Sequence, residues 1–262
     1  MRPTERRRQI LARLGEQPYV SVQDLQVLTE ASEATIRRDL RDLAETGAIR
    51  RVHGGVERTE ETTNRLAGEP FARTRQINVS QKQAIARAAA AMTEPGETII
   101  IDGGSTTYMM CPYLEDKHLQ VLTNSLPIIE RLLSSPGTRL LVPGGEVFRE
   151  QNIILSPFEH DGTAECYAST MFMGAQALTS VGLLQADSIL IRAERRLMER
   201  AQRVVVLADS SKFRRTTGLV SCELSQIDMV ITDPAVRDED VAMLRAADVE
   251  VVIAQPDVTL DK

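Results

Sequence analysis

The chain has 262 residues, 42% of them hydrophobic and 26% charged, with a net charge of −6; this fits one or two globular domains and argues against disorder throughout. Aromatic residues make up only 3% and tryptophan is absent, which speaks against the stacking platforms of single-stranded nucleic acid binders and leaves duplex DNA open. No apolar run approaches the roughly 18 residues needed to span a bilayer, and the basic start "MRPTERRRQILARL" lacks a signal-peptide core, so a cytoplasmic protein without membrane contact is expected.

Cys111, Cys166 and Cys222 are far apart with no C-x-x-C pair, and His53, His118 and His160 show no H-x-x-x-H spacing. Reduced thiols, no metal site and no cofactor are expected. Charge is uneven. Residues 1–58 hold eleven Arg, no Lys and nine acidic residues, a net of +2, which leaves −8 for the remainder of a −6 chain. A small basic module attached to an acidic body fits this split, although arginine-rich codon usage accounts for it equally, since only 4 of 31 basic residues are Lys.

"TERRRQILARL" places Ile10, Leu11 and Leu14 on one helical side, with Arg6, Arg7 and Arg13 largely elsewhere; Pro18 stops this helix. "SVQDLQVLTE" opens with the capping pattern Ser21-x-x-Asp24 and repeats Val22, Leu25 and Leu28 at helical spacing. A third helix follows, capped by Ser32, with Ile36, Leu40 and Leu43 as its buried edge. At about 100° per residue, Ala34, Thr35, Arg37, Arg38 and Arg41 then face away from that edge.

Gly47 suits a helix end, and "AIRRVHGGVER" offers a hairpin around Gly54-Gly55 that carries Arg50, Arg51 and His53. Three short helices and a Gly-Gly ribbon form a winged helix-turn-helix pattern, in which the third helix meets base edges of duplex DNA. The competing reading is a solvated helix face whose arginines pair with Asp39, Asp42 and Glu45. "RRQILARL" and "VSVQDLQVLTEASEATIRRDLRDLAETGAIRRVHGGV" resemble the DNA-binding end of the DeoR family of bacterial transcriptional regulators. The resemblance implies DNA contacts by Ser32, Ala34, Thr35, Arg37, Arg38 and Arg41, with Arg51 and His53 on the wing.

Residues 59–75, including "ERTEETTNRLAGEP" from position 57, read as a linker between a DNA-binding domain at 1–58 and an effector domain at 76–262. "FARTRQINVSQKQAIARAAAAM" reads as an alanine-rich helix with Ile85, Ala89 and Met92 on one side, ended by Pro95-Gly96. Beyond it, strand candidates "ETIIIDGG", "LQVLTNS", "RLLVPGG", "RVVVLADSS", "DMVITD" and "VEVVIAQ" alternate with helices at 105–114, 126–134, 187–201 and 238–246. This alternation predicts an α/β domain with a mainly parallel sheet.

The loops "DGGSTT", "TNS", "PGG" and "DSSK" follow strands, at the edge where open α/β sheets bind ligands. Gly103 and Gly104 permit close backbone approach, while Ser105, Thr106 and Thr107 offer hydroxyls at a helix start, a suitable cradle for a small anion. Lys212 could neutralise that anion. Plain alternatives stand beside each: an ordinary strand-to-helix turn, a solvated loop lysine, and a simple helix cap at Asn124 or Ser125. Dinucleotide and nucleoside triphosphate motifs are absent.

"IIIDGGSTT", "VLTNSLPI", "VPGGEVFR", "MFMGAQALTSVGL" and "VVVLADSSKF" resemble successive landmarks of the DeoR effector domain, which implies a ribose-5-phosphate isomerase-like fold and a phosphorylated sugar as effector. Asp102, Gly103, Gly104, Ser105, Thr106, Thr107, Thr123, Asn124, Ser125, Gly144, Gly145 and Lys212 become its candidate contacts. One departure bears on the ligand: Ser169 stands where many members carry an aspartate ahead of Phe172-x-Gly174. "QNIILSPFEHDG" and "YASTMFMGAQAL" are similar to the branch of ascorbate-utilisation repressors.

The resulting expectation is a repressor of a sugar or sugar-acid operon, controlled by a small anionic sugar-derived effector and binding double-stranded operator DNA as a homodimer or larger assembly. Two other readings stay open: a sugar-phosphate isomerase-like enzyme with Asp102 as base and Lys212 as electrophile, and a winged helix that binds protein instead of DNA.

Overall fold

The computed structural model describes residues 3–16, 19–45, 49–52, 54–58, 70–158, 160–215 and 218–256. The expected helix stops at Pro18 and Gly47, the wing residue His53 and positions 59–69 of the expected linker lie outside the described residues. The chain divides into two compact units, residues 1–65 and 66–262.

In the first unit the order is α1 (Pro3–Glu16), β1 (Tyr19–Ser21), α2 (Val22–Thr29), α3 (Glu33–Glu45), β2 (Ile49–Val52) and β3 (Gly55–Arg58). Ile10, Leu14, Val20, Leu25, Ile36, Leu40, Leu43, Ile49 and Val56 form its core. The Ser21 hydroxyl accepts the Asp24 N–H at 3.1 Å and starts α2 as its spacing predicts. Two apolar expectations fail: Leu11 and Leu28 are exposed. On α1 the inward stripe runs Arg6, Ile10, Leu14, each four residues apart, and on α2 it runs Leu25, Thr29, so the leucines one place off those stripes turn to water. Arg6, expected to face elsewhere, is buried on the same stripe.

β1, β3 and β2 make an antiparallel sheet in which Val52 pairs with Gly55, so Gly55 of the expected Gly54-Gly55 turn already belongs to a strand. Only Gly54 of the pair needs a left-handed backbone, at φ 79°. Gly55 is small for another reason: a Cβ there would sit 2.5 Å from the Val20 carbonyl oxygen as β1 passes.

The second unit begins with α4 (Phe71–Thr74) and α5 (Val79–Ala91), separated where Asn78 adopts φ 53°; one continuous helix was expected. Seven parallel strands follow: β4 (Thr98–Ile101), β5 (Gln120–Leu122), β6 (Arg139–Leu141), β9 (Ala168–Gly174), β12 (Ala201–Leu207), β14 (Met229–Thr232) and β15 (Glu250–Ile253). Between them lie α6 (Ser105–Tyr108), α7 (Leu126–Leu132), the hairpin β7 (Glu146–Phe148) and β8 (Ile153–Leu155), strands β10 (Ala177–Thr179) and β11 (Gly182–Gln185), α8 (Ser188–Met198), β13 (Leu219–Cys222) and α9 (Asp238–Ala246).

The sheet order is β15-β14-β12-β9-β4-β5-β6. Both faces are covered: Ile99, Ile101, Phe172 and Val205 pack on one side, and Ile100, Met171, Met173 and Val206 on the other, as strands buried on both faces require. From β4 the chain steps outward through β5 and β6, then returns to β9 on the other flank of β4. Their carboxyl ends bound the crevice at a topological switch point.

Two helices differ from expectation. The stretch 105–114 is a single turn of α-helix followed by a 3-10 turn at Cys111–Tyr113, where Pro112 lacks the N–H to continue an α-helix. The helix expected over 187–201 ends at Met198, because Ala201 already starts β12.

Candidate functional site

Ala34, Arg37, Arg38 and Arg41 are exposed on α3 and Thr35 is half-buried, opposite to Ile36, Leu40 and Leu43. Ser32 is exposed and its hydroxyl lies 3.4 Å from the Thr35 nitrogen, acting on the helix start. Arg51 is exposed on β2.

Asp39 and Asp42 of α3 pair with arginines of α1. Asp39 accepts Arg6 Nε at 2.5 Å and Arg7 Nε at 3.0 Å, and Asp42 accepts Arg7. Arg37 pairs with Glu33 one turn back at 2.7 Å. Arg38 and Arg41 make no ion pair or hydrogen bond among the described residues. The helix therefore presents the Arg38 and Arg41 guanidinium groups to solvent without ion-pair partners among the described residues, while Asp39 and Asp42 are drawn toward α1.

In the second unit a cavity of about 100 Å³, open to solvent, sits at the carboxyl ends of β4, β9 and β12. Gly103, Gly104, Ser105, Thr106 and Lys212 line it, so five of the twelve expected effector contacts meet there. Lys212 belongs to a 3-10 turn, Ser210–Arg214, started by the Asp209 carboxylate, which accepts the Ser211 N–H at 3.1 Å. Because α6 is one turn long, its dipole contributes little. Ser105, Thr106, Lys212 and Arg215 bring two hydroxyls and two basic side chains to the lining.

Asp102, Thr107, Thr123, Asn124 and Ser125 are buried supports and do not line the cavity. The Asn124 side chain accepts the Gly103 N–H and donates to Asp102 Oδ1, both at 3.0 Å, which pins the glycine loop. Thr107 donates to the Asp102 carbonyl at 2.8 Å. Gly103 must be glycine, since a Cβ would meet Ile153 Cγ2 at 2.3 Å. Burial pushes the Asp102 carboxyl up to about 6 against the lowering effect of the Asn124 and Gly103 hydrogen bonds. Its seclusion behind Asn124 does not suit a base that must touch substrate.

Gly144 and Gly145 also stand away from the cavity. A Cβ on Gly145 would meet the Leu155 carbonyl oxygen at 2.5 Å, so this glycine makes room for the β7–β8 hairpin, and the Gly144 N–H before it donates to the Asp161 carbonyl at 2.9 Å in the segment that follows the hairpin. Ser169 lies at the amino end of β9, where its hydroxyl donates to Glu97 and to the Thr98 carbonyl. The cavity is at the other end of the strand, so this departure leaves the site's lining unchanged.

Sequence reasoning missed Phe71, Thr74, Gln151, Gly174, Gln176, Gln185, Glu194 and Arg215 of the lining. Glu194 carried a legible signal. It interrupts the inward stripe Leu190, Leu197, Met198 of α8 and is itself fully buried. Its carboxyl accepts Gln185 Nε2 and the Ser221 hydroxyl, the latter at 2.6 Å; burial, with the Asp102 charge adding, holds it well above the usual carboxylate range. Phe71 gave no signal, since it sits where the expected linker runs into the alanine-rich helix and carries no chemical motif.

Comparison with known proteins adds the following. The DeoR-like helix-turn-helix domain matches residues 6–62, and the DeoR C terminal sensor domain matches residues 77–234. A protein of Escherichia coli O157:H7 named as an aga operon transcriptional repressor is 32% identical over 254 residues, 95% of this chain and 93% of its own. The HTH-type transcriptional regulator UlaR of Shigella dysenteriae serotype 1 is 30% identical over 253 residues, 96% of this chain and 99% of its own. Among solved structures, ribose 5-phosphate isomerase A of Methanocaldococcus jannaschii matches at 18% identity and a TM-score of 0.38, covering 50% of this chain and 53% of that one.

Proposed function

We propose, for a chain that belongs to the DeoR family of transcriptional regulators, that it represses a sugar or sugar-acid catabolic operon in the cytoplasm and is controlled by a phosphorylated sugar or related anionic metabolite. One observation carries the reading: α3 turns Arg38 and Arg41 outward without ion-pair partners among the described residues, while Arg6 and Arg7 of α1 take up Asp39 and Asp42. An exposed guanidinium so placed can donate a bidentate pair to guanine O6 and N7, at about 1 to 3 kcal/mol of discrimination, or bind phosphate. Ser32 stands at the start of the same helix and Ala34, Thr35 and Arg37 belong to it, and Arg51 and His53 of the wing are assigned with them on their place in the sequence. A homodimer or larger assembly would read paired half-sites.

The cavity at the switch point supports the control step. Gly103, Gly104, Ser105, Thr106 and Lys212 supply backbone, hydroxyl and ammonium groups suited to a small anion, with Asp102, Thr107, Thr123, Asn124 and Ser125 holding the loops behind them. Phe71 and Thr74 wall the same cavity from α4, directly after the stretch 59–69 that leads in from the DNA-binding unit. A ligand seated there bears on the segment nearest that connection, which gives it a route to bias operator binding.

The test is fluorescence anisotropy of the full chain with duplexes from its own upstream region, with and without a panel of sugar phosphates and sugar acids. Preference over scrambled duplex, changed at least fivefold by one ligand, is the expected result. Equal affinity for both duplexes at every salt concentration would overturn it.

A further inference from the structure

We infer that Glu194 is a specificity-determining residue of the cavity, reading hydroxyl groups on the part of the ligand that carries no phosphate. The inference rests on the proposed reading of the cavity as a site for a phosphorylated or otherwise anionic sugar-derived ligand.

An acid in the buried stripe of an amphipathic helix is costly, because the charged form loses its water and the neutral form still needs hydrogen bonds. Glu194 is fully buried on α8, yet borders the cavity. Its partners among the described residues are the Gln185 amide and the Ser221 hydroxyl, one on each carboxyl oxygen. Neither carries charge. They orient the carboxyl without neutralising it, unlike Asp39, which is met by two arginines. A leucine would continue the run of Leu190 and Leu197 and pack with no such cost, so the acid at the cavity wall marks a ligand contact.

The geometry also says what kind of contact. Held neutral by burial, the carboxyl has a proton to donate beside the acceptor capacity that its two neighbouring donors leave, so it can pair with a hydroxyl in either sense. Gln176 and Gln185 line the cavity with Glu194 and add amide donors and acceptors. A neutral carboxyl gives a phosphate no ion pair, and the cavity offers it Ser105, Thr106, Lys212 and Arg215 instead. Neutral hydroxyls suit the Glu194 wall, and a ligand lacking them leaves buried polar groups without partners.

The experiment is isothermal titration of the full chain with inorganic phosphate, glycerol 3-phosphate, ribose 5-phosphate, fructose 6-phosphate and glucose 6-phosphate. Wild type is expected to bind at least one sugar phosphate ten times or more tighter than inorganic phosphate. In Glu194→Leu that advantage disappears while phosphate affinity stays within twofold, and Glu194→Gln falls between. Ser221→Ala, which removes an orienting hydroxyl without touching the lining, reduces the advantage in part and keeps the test open if Glu194→Leu fails to fold. An unchanged advantage in these variants overturns the role of Glu194. Wild type binding sugar phosphates no tighter than inorganic phosphate also overturns it and leaves the anion site standing. Binding of none of the probes overturns the reading of the cavity and the inference with it.

Discussion

Arg6 on α1 donates from Nε to Oδ2 of Asp39 on α3 at 2.5 Å, with side chains only 10% and 3% exposed. Arg7 holds the other carboxylate oxygen at 3.0 Å, so one acid fixes α3 against two successive arginines of α1. Removing a buried partner strands the remaining charge at a cost of about 3–5 kcal/mol. Asp39→Ala is therefore expected to unfold the DNA-binding unit at much lower urea than wild type. Asp42, 38% exposed in its pair with Arg7, should cost about 0–1 kcal/mol when replaced by alanine. Urea unfolding of the full chain by circular dichroism checks both, and equal midpoints for the two variants would remove the clamp.

Arg38 and Arg41 predict the reverse pattern. As exposed residues without partners among those described, their alanine variants should leave stability within about 0.5 kcal/mol. Operator binding should weaken at least tenfold, with the preference over scrambled duplex lost where the side chain meets a base. Where it meets phosphate, the slope of log affinity against log salt should fall by about 0.9. Arg37, already paired with Glu33, should matter less. Anisotropy titrations at several salt concentrations that leave Arg38→Ala indistinguishable from wild type would place the DNA surface elsewhere.

Much of this arrangement was legible because it follows from spacing. Ile36, Leu40 and Leu43 bury one edge of α3, and the arginines between them must then face out. "TIII", "VVVL" and "MVIT" are dense β-branched runs and form β4, β12 and β14. The central strand β9 was not found as a strand, since "ASTMFMG" mixes hydroxyl residues and methionines and meets its partners β4 and β12 only through the tertiary fold. The loops at strand ends pointed to the edge of the sheet where the cavity opens, but not to which residues line it. Asp102 and Thr107 turned inward as supports, and Gly145 makes room for a hairpin that no periodicity announced. Phe71 joined the cavity from a stretch with no chemical motif at all.

Phe71 and Tyr108 meet edge to face at 5.7 Å, and the Arg75 guanidinium lies 4.7 Å from the Tyr108 ring centre. Tyr108 ends α6, whose start lines the cavity, so these rings join that wall to α4. Tyr108→Ala should leave affinity for glucose 6-phosphate, or whichever sugar phosphate binds tightest, within about threefold. It should cut that ligand's effect on operator affinity from the 5- to 150-fold typical of 1 to 3 kcal/mol of coupling toward none. Parallel titrations of ligand alone and of operator with saturating ligand separate the two quantities. An undiminished ligand effect on operator binding would exclude this route.

Asp102 gives a prediction with a definite sign in pH. Its carboxyl is raised from 3.8 to about 6 in the folded chain, chiefly because burial removes its water. The folded state thus holds this proton more firmly than the unfolded one. The group's contribution to stability is complete below about pH 3.8 and is lost as pH rises through about 6. Above that range the protein carries a buried charge at a cost on the order of 1–3 kcal/mol, since each pKa unit corresponds to about 1.4 kcal/mol. Asp102→Asn keeps an oxygen to accept the Asn124 amide and carries no charge. Its stability relative to wild type should therefore climb between pH 4.5 and pH 7 and level off above. Urea midpoints at half-unit steps across that range give the difference curve directly. If the two proteins run parallel throughout, Asp102 does not titrate there, and the water-free environment assigned to it behind Asn124 is wrong.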